Sequence, residues 1–348
     1  MSQAFSASSS PDEHLLADWR QRALRFEQAV GQVVIGQTRV IRLITLALFA
    51  RGHVMLEGDV GVGKTTLLRA VARGLGGFYE RVEGTVDLLP GDLLYHTHID
   101  ADGKPRIDPG SLLKHGEELA VFFFNEINRA RPQVHALLLR VMAERQIQAF
   151  NRDYRLPYLQ VFADRNRVEK EETFEIPSAA RDRFMLELTV EIPQDTDLQR
   201  ALLFDTRFHD VDRLIETIEP GLIDYHGVAT LARQIQAFVQ ASPALQDYAG
   251  RLWQATRTPA TFDIQLDGAD TGHIIKAGAS PRGMSLMLQA ARVAAWLAGR
   301  NHLLPDDIRQ VFIAAVAHRV FLNPVYEFRR DTLIPDLMQA IIRRVDTP

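Results

Sequence analysis

Cysteine is absent from the 348-residue chain. That absence removes disulfides, zinc–thiolate centres and thiol catalysis, and it fits a reducing cytosol, so a cytoplasmic protein is the expectation. Long apolar runs are lacking too. The most hydrophobic stretch ahead of the glycine-rich loop, Leu43-Ile44-Thr45-Leu46-Ala47-Leu48-Phe49-Ala50, is far too short to span a bilayer. The chain start shows neither the basic patch nor the apolar core of a secretion signal. No sign of charge prevails: 40 Lys and Arg stand against 44 Asp and Glu, a formal charge of −4. This balance gives no support for a general polyanion-binding surface and argues against nucleic acid as partner. There is no internal repeat, and low complexity is confined to residues 1–10, which read as a disordered tail.

What is present centres on Gly58-Asp59-Val60-Gly61-Val62-Gly63-Lys64-Thr65, a full match to the phosphate-binding pattern GxxxxGK[ST]. An apolar stretch, His53 to Glu57, precedes it and predicts a buried strand. Thr66 to Leu75 follows, with Leu67, Leu68, Val71 and Leu75 at helical spacing. Strand, glycine loop and helix are what the chemistry requires. Glycines let backbone N–H groups approach phosphate oxygens, and the helix N-terminus adds partial positive charge. In that frame Lys64 reaches the β- and γ-phosphates and the Thr65 hydroxyl ligates Mg²⁺. A glycine-rich turn with an accidental lysine is the bland alternative, and the flanks speak against it.

The rest of the chain falls into order around this loop. Ser10-Pro11-Asp12-Glu13 reads as a capping box, and Leu15, Trp19, Ala23, Phe26 and Val30 give an amphipathic helix ending near Gly31. A second helix is expected over Val40 to Ala50. Arg81 to Gly110 reads as a loop-rich excursion with a hairpin. His96 and His98 share one strand face there, a possible metal pair with no third ligand nearby. The continuous apolar run Leu119 to Phe124 predicts a strand buried on both faces of a parallel sheet. It ends in Asn125-Glu126, where open α/β sheets bind ligands. A helix from Pro132, a hairpin over Gln146 to Pro157 and a strand over Tyr158 to Ala163 follow. Alternation over Leu186 to Ile192 predicts a half-exposed strand near the sheet edge.

Beyond Pro193 helical periodicity dominates, so a boundary is placed there: residues 11–193 as a nucleotide-binding domain, 194–348 as a helical one. Thr256 to Gly278 reads as a long loop with a hairpin. Ser280-Pro281 and Asp306-Asp307 open further helices, the first with serine as cap.

Taken together these motifs resemble the MoxR family of AAA+ ATPases. Val34-Ile35-Gly36-Gln37 is similar to its adenine-side box, Gly58 to Thr65 to its Walker A loop, and Thr85 to Asp92 to the start of its helix-2 insert. Asn125-Glu126-Ile127-Asn128-Arg129-Ala130 stands at its Walker B position. Glu169 to Thr173 and Asp182-Arg183-Phe184 resemble its sensor 1 continuation and arginine-finger region, and Gly278-Ala279-Ser280-Pro281-Arg282 its sensor 2 signature. The likeness runs from Val34 to Asn323. It implies a three-layer αβα P-loop core with a parallel sheet and a helix-2-type insert, then a C-terminal α-helical lid. It also implies ATP and Mg²⁺ as cofactors and a self-assembled ring, expected to be a hexamer. The function implied is chaperone-like remodelling or maturation of a partner complex, including cofactor insertion, with a von Willebrand factor A domain protein as the expected partner.

The resemblance also carries roles. Glu126 is the expected base that polarises the attacking water. Asn166 is the sensor of that water or the γ-phosphate, with a plain turn asparagine as the alternative. Arg183 is the finger reaching a neighbour's site, with Arg181 next door as the rival. Arg282 meets a phosphate from a helix N-terminus. The nucleotide contacts are Val34, Ile35 and Gly36, then Gly58 through Thr66, and Arg282; Thr65 and Asn125 are the metal side. Asn125 departs from the family, which has an aspartate there. That departure makes a nucleotide-gated assembly module with weak hydrolysis the second reading, and a DNA motor the third.

Overall fold

The computed structural model describes residues 13–166 and 174–348. The expected tail, the first three residues of the capping box and the Glu169–Thr173 stretch lie outside the described residues. In chain order come α1 (Glu13–Val33), α2 (Thr38–Phe49), β1 (His53–Glu57), α3 (Lys64–Leu75) and β2 (Phe78–Glu83). The expected excursion carries a hairpin of β3 (Tyr95–Ile99) and β4 (Pro105–Pro109). Next are β5 (Leu119–Asn125), α4 (Pro132–Glu144), the hairpin β6 (Gln146–Ala149) and β7 (Arg152–Arg155), β8 (Gln160–Arg165), α5 (Ser178–Arg181) and β9 (Phe184–Thr189).

A five-stranded sheet with order β2-β5-β8-β1-β9 and all-parallel pairing forms the middle layer. The run Leu119–Phe124 shows why β5 lies inside it. Val121 and Phe123 join Val54, Leu56 and Phe162 in one apolar cluster with α1, α2 and α3. Phe122 and Phe124 join Met55, Val161 and Ala163 in a second, under Val134, Leu138 and Val141 of α4. Successive side chains alternate faces, so a strand covered on both sides must be apolar throughout. Three layers follow.

Two details depart from the sequence reading. In α1 the buried stripe begins at Leu16, not Leu15, which is exposed, and the helix runs through Gly31 to Val33. Residues three and four before Trp19 fit the period equally well, so spacing alone does not choose between them. β9 is the edge strand as expected, yet it is covered rather than half-exposed, because a later helix packs across it. Glu187 on β9 is held by Arg165 at 3.1 Å and Arg181 at 3.6 Å. Burial alone raises its carboxyl pKa, but the two guanidiniums outweigh burial and hold it at about 2.

The helical part comprises α6 (Thr196–Phe204), α7 (Val211–Glu216), α8 (Tyr225–Phe238), α9 (Pro243–Arg257), β10 (Ile275–Ala277), α10 (Pro281–Leu297), α11 (Pro305–Val316), β11 (Phe321–Leu322), α12 (Pro324–Glu327) and α13 (Arg330–Arg344). It is α11 that lies over β9. β10 pairs with the distant β11, not with a neighbour inside the Thr256–Gly278 loop. Helices α8 and α10 share one apolar cluster with α1 and α2. Phe49 links Trp19 and Trp296 edge to face, at 6.4 and 5.2 Å, and Trp296 Nε1 donates to Leu16 O. Pro193 therefore marks a change of secondary structure while the core runs on across it.

Asp182, just ahead of β9, fastens the helical part from the other side. It accepts from Ser280 Oγ at 2.6 Å, Arg319 Nε at 3.0 Å and an Arg282 guanidinium nitrogen at 3.2 Å. Gly283 makes room: a Cβ there would lie 2.2 Å from Arg319 Cδ.

His53, buried at the start of β1, accepts the Val161 N–H on Nδ1 and so carries its proton on Nε2, facing Met142 O. Burial, reinforced by Arg145, lowers its pKa from 6.5 to about 3. The folded chain refuses a proton that the unfolded chain accepts. Its stabilisation is therefore complete above pH 6.5 and declines as pH falls from there toward 3. Just below pH 6.5 the stability of the parent should fall more steeply with acid than that of His53→Gln, by about 1.4 kcal/mol per pH unit at most. Urea midpoints across that range measure the slope, and parallel profiles would contradict the assignment.

Candidate active site

The carboxyl ends of β1, β5 and β8 meet at one end of the sheet, and Lys64, Thr65, Glu126 and Asn166 gather there. Gly63 precedes α3 with φ of 90°, a left-handed conformation that glycine adopts without strain, so α3 opens straight onto the loop. Thr65 and Thr66 lie in its first turn, half-buried, while Asp59, Val60 and Gly61 are exposed around the mouth. Lys64 folds inward: its Nζ donates to Gly58 O at 2.6 Å, Asp59 O at 3.2 Å and Asn166 Oδ1 at 2.8 Å. It also lies 3.4 Å from Asp164 Oδ2. The side chain is 8% exposed. A phosphate-binding lysine here is a buried, paired group before any phosphate arrives.

Asn166 Nδ2 donates to Glu126 Oε1 at 3.0 Å, and Arg129 donates to Glu126 Oε2 at 3.0 Å. Lys64, Asn166 and Glu126 thus form one hydrogen-bonded chain across β1, β8 and β5. Glu126 itself has φ of 53°, which a non-glycine residue rarely adopts. Its N–H donates to Asp164 Oδ1 at 2.6 Å. Burial pushes the Asp164 carboxyl above the usual aspartate range, against the pull of that N–H and of Lys64.

Asn125, expected on the metal side, is buried at the end of β5. Its amide donates to Glu83 Oε1 on β2, the strand farther from the loop. Of the adenine-side box, Val34 is packed in the core, Ile35 is half-buried and Gly36 is exposed. The box is pinned to the end of β9: Gln37 Nε2 donates to Glu191 O at 2.5 Å, and a Cβ on Gly36 would meet Pro193.

The two arginines assigned to phosphate lie elsewhere. Arg183 directly precedes β9, and Arg282 opens α10. With Arg51, His53 and Arg145 they line a cleft of about 230 Å³ at the amino ends of the strands. Strands of this length span roughly 17–20 Å, so Arg282 stands at the end of the sheet opposite its own glycine loop. Arg183 donates to Leu139 O at 2.8 Å and Arg282 reaches Asp182 at 3.2 Å. Arg181, the rival finger, is 14% exposed and faces Glu187. It belongs to the buried ion cluster.

Among the described residues no three His, Cys, Asp or Glu side chains gather to hold a metal, so His96 and His98 remain without a third ligand. Mg²⁺ makes no such demand: it keeps several waters, takes oxygens from phosphates and needs one or two protein oxygens. The Thr65 hydroxyl and a carboxylate at this sheet end suit it. No helix among the described residues is long and apolar enough to cross a membrane.

A P-loop on a parallel αβα sheet, with a glutamate and an asparagine on adjacent strand ends and a helical lid, defines an AAA+ ATPase. Residues 53–186 match the family described as ATPases associated with various cellular activities, and residues 269–341 match the AAA lid domain. The chain is 59% identical to Protein MoxR of Methylorubrum extorquens, over 97% of this chain and 98% of that one. It is 31% identical to Chaperone MoxR1 of Mycobacterium tuberculosis, over 91% and 78%. The crystal structure of an ATPase candidate from Cytophaga hutchinsonii superposes with a TM-score of 0.81 at 26% identity, over 97% and 98%. The chain belongs to the MoxR family of AAA+ ATPases.

Proposed function

We propose that the protein is a cytoplasmic remodeller of a partner protein complex, driven by ATP and Mg²⁺ and working as a head-to-tail hexameric ring. One observation carries this reading: the hydrolytic pair and the phosphate-directed arginines occupy opposite ends of the same sheet. A surface that holds the loop on one side and its missing cations on the other is completed by a second copy, and such heterologous contacts close into rings. Within one site Lys64 and the N-terminus of α3 bind the phosphates, and Glu126, aimed by Asn166, orients water and takes its proton. Arg183 and Arg282 of the next subunit neutralise the charge that develops on the γ-phosphate. The Thr65 hydroxyl and a carboxylate at this sheet end would hold Mg²⁺, which would supply positive charge to the phosphates.

A protein client is supported by the chaperone name of the 31% identical relative. A von Willebrand factor A domain partner and a role in cofactor insertion are extensions of the family resemblance. The second reading, a nucleotide-gated assembly module with slow turnover, is favoured by the neutral Asn125, whose amide is engaged by Glu83. Sedimentation with and without ATP tests the ring, and steady-state phosphate release separates the two readings. ATP should convert small species into a closed ring with measurable turnover. A monomer under every nucleotide condition would sink the ring.

A further inference from the structure

Asp164 emerges as the acid best placed to serve the nucleotide's metal. β8 lies between β5 and β1, so its end stands directly beside the strand that feeds the phosphate loop, with Asp164 in register with Leu56. Asn125 is one strand farther away, neutral, and turned toward Glu83. Asp164 is 1% exposed, and a carboxylate so deeply buried is costly to leave charged without a cation beside it. Its present cation is the Lys64 ammonium at 3.4 Å, the group that bound phosphates draw onto themselves. Once Lys64 turns to phosphate, Asp164 loses its partner unless a second cation arrives with the ligand.

Four other acids of the neighbourhood are committed. Glu126 is held by Asn166 and Arg129 through its two oxygens, and Glu57 pairs with Arg165 at 3.2 Å. Glu83 is engaged by Asn125 and Arg81 on the outer strand. Asp92 accepts the Leu89 N–H in a short 3₁₀ turn.

We propose that Asp164 is the carboxylate that positions the divalent ion accompanying the nucleotide, supplying from β8 the charge that Asn125 does not supply from β5. Lys64 holds that place until phosphates and metal enter together. The site therefore keeps one buried carboxylate paired with one cation throughout, first the ammonium and then the metal. The inference rests on reading the loop as a nucleotide site.

Mn²⁺ tests it, counted by electron paramagnetic resonance in the presence of a non-hydrolysable ATP analogue. Asp164→Asn keeps an oxygen for the Glu126 N–H but loses the charge. Its Mn²⁺ affinity should fall about tenfold or more, the size of a charged interaction lost, while the analogue still binds in EDTA. Asn125→Asp, which does not depend on how Asp164→Asn folds, should gain no Mn²⁺ affinity, because the charge is already supplied. Parent-like Mn²⁺ affinity in Asp164→Asn, or a tenfold gain in Asn125→Asp, overturns the proposal. Failure of the parent itself to bind the analogue in EDTA is a separate result, and it overturns the nucleotide reading beneath.

Discussion

Lys64→Ala should lose ATP affinity by about a hundredfold, the effect of removing roughly 3 kcal/mol of charged hydrogen bonding to phosphate. Isothermal titration with ATP measures it, and a variant that binds like the parent would show that the glycine loop is not a phosphate site. On an open loop the loss of such a lysine would be harmless to the fold. Here it is not. Lys64 is buried against Asp164, and truncating it leaves a carboxylate without its cation. Breaking one side of a buried pair costs about 3 kcal/mol or more, so Lys64→Ala should also melt earlier than the parent. The Lys64→Ala/Asp164→Asn double variant should regain much of that stability and none of the ATP binding. This separates the lysine's work on the ligand from its work on the fold.

The second large effect concerns the arginines. Arg183→Ala should still assemble with ATP but turn over about a thousandfold more slowly, the lower range for a finger supplied by a neighbour. Glu126→Gln should be comparably inactive. Mixed before assembly, the two should recover activity, because about one interface in four of a random head-to-tail ring then pairs an intact Glu126 with an intact Arg183. The same mixing with Arg282→Ala discriminates more sharply. If Arg282 served its own loop, no mixed interface would be intact and no activity would return. Its place beside Arg183 in one cleft predicts recovery. Phosphate release across mixing ratios reads both cases. Flat profiles for both arginines would defeat the shared trans role. Arg181→Ala behaves differently: it exposes no catalytic lesion but removes one of the two guanidiniums that hold the buried Glu187, so its signature is lost stability.

Much of the architecture could be read without coordinates because the signals are local. The glycine loop, the all-apolar strand at Leu119–Phe124 and the proline and serine that open α10 report backbone needs satisfied within a few residues. The fold class and the family follow from those patterns in order. The choice between Leu15 and Leu16 was not legible, since both fit a 3.6-residue period and only the neighbouring helices decide.

The sequence by itself determined which chemistry the chain carries: a phosphate loop, a strand-end Glu126, an Asn166 and an Arg183, each set by a motif whose parts lie close in the chain. Tertiary structure decided which of them meet. Strand order put β8 beside β1, so that Asp164, to which no motif gives a role, became the partner of Lys64 while Asn125 turned to the outer strand. Packing of the helical part against β9 and Asp182 carried Arg282 to the far end of the sheet. Motifs encode side-chain type and local backbone, whereas the sides of a sheet on which distant segments land depend on strand order and on the apolar faces the layers must cover.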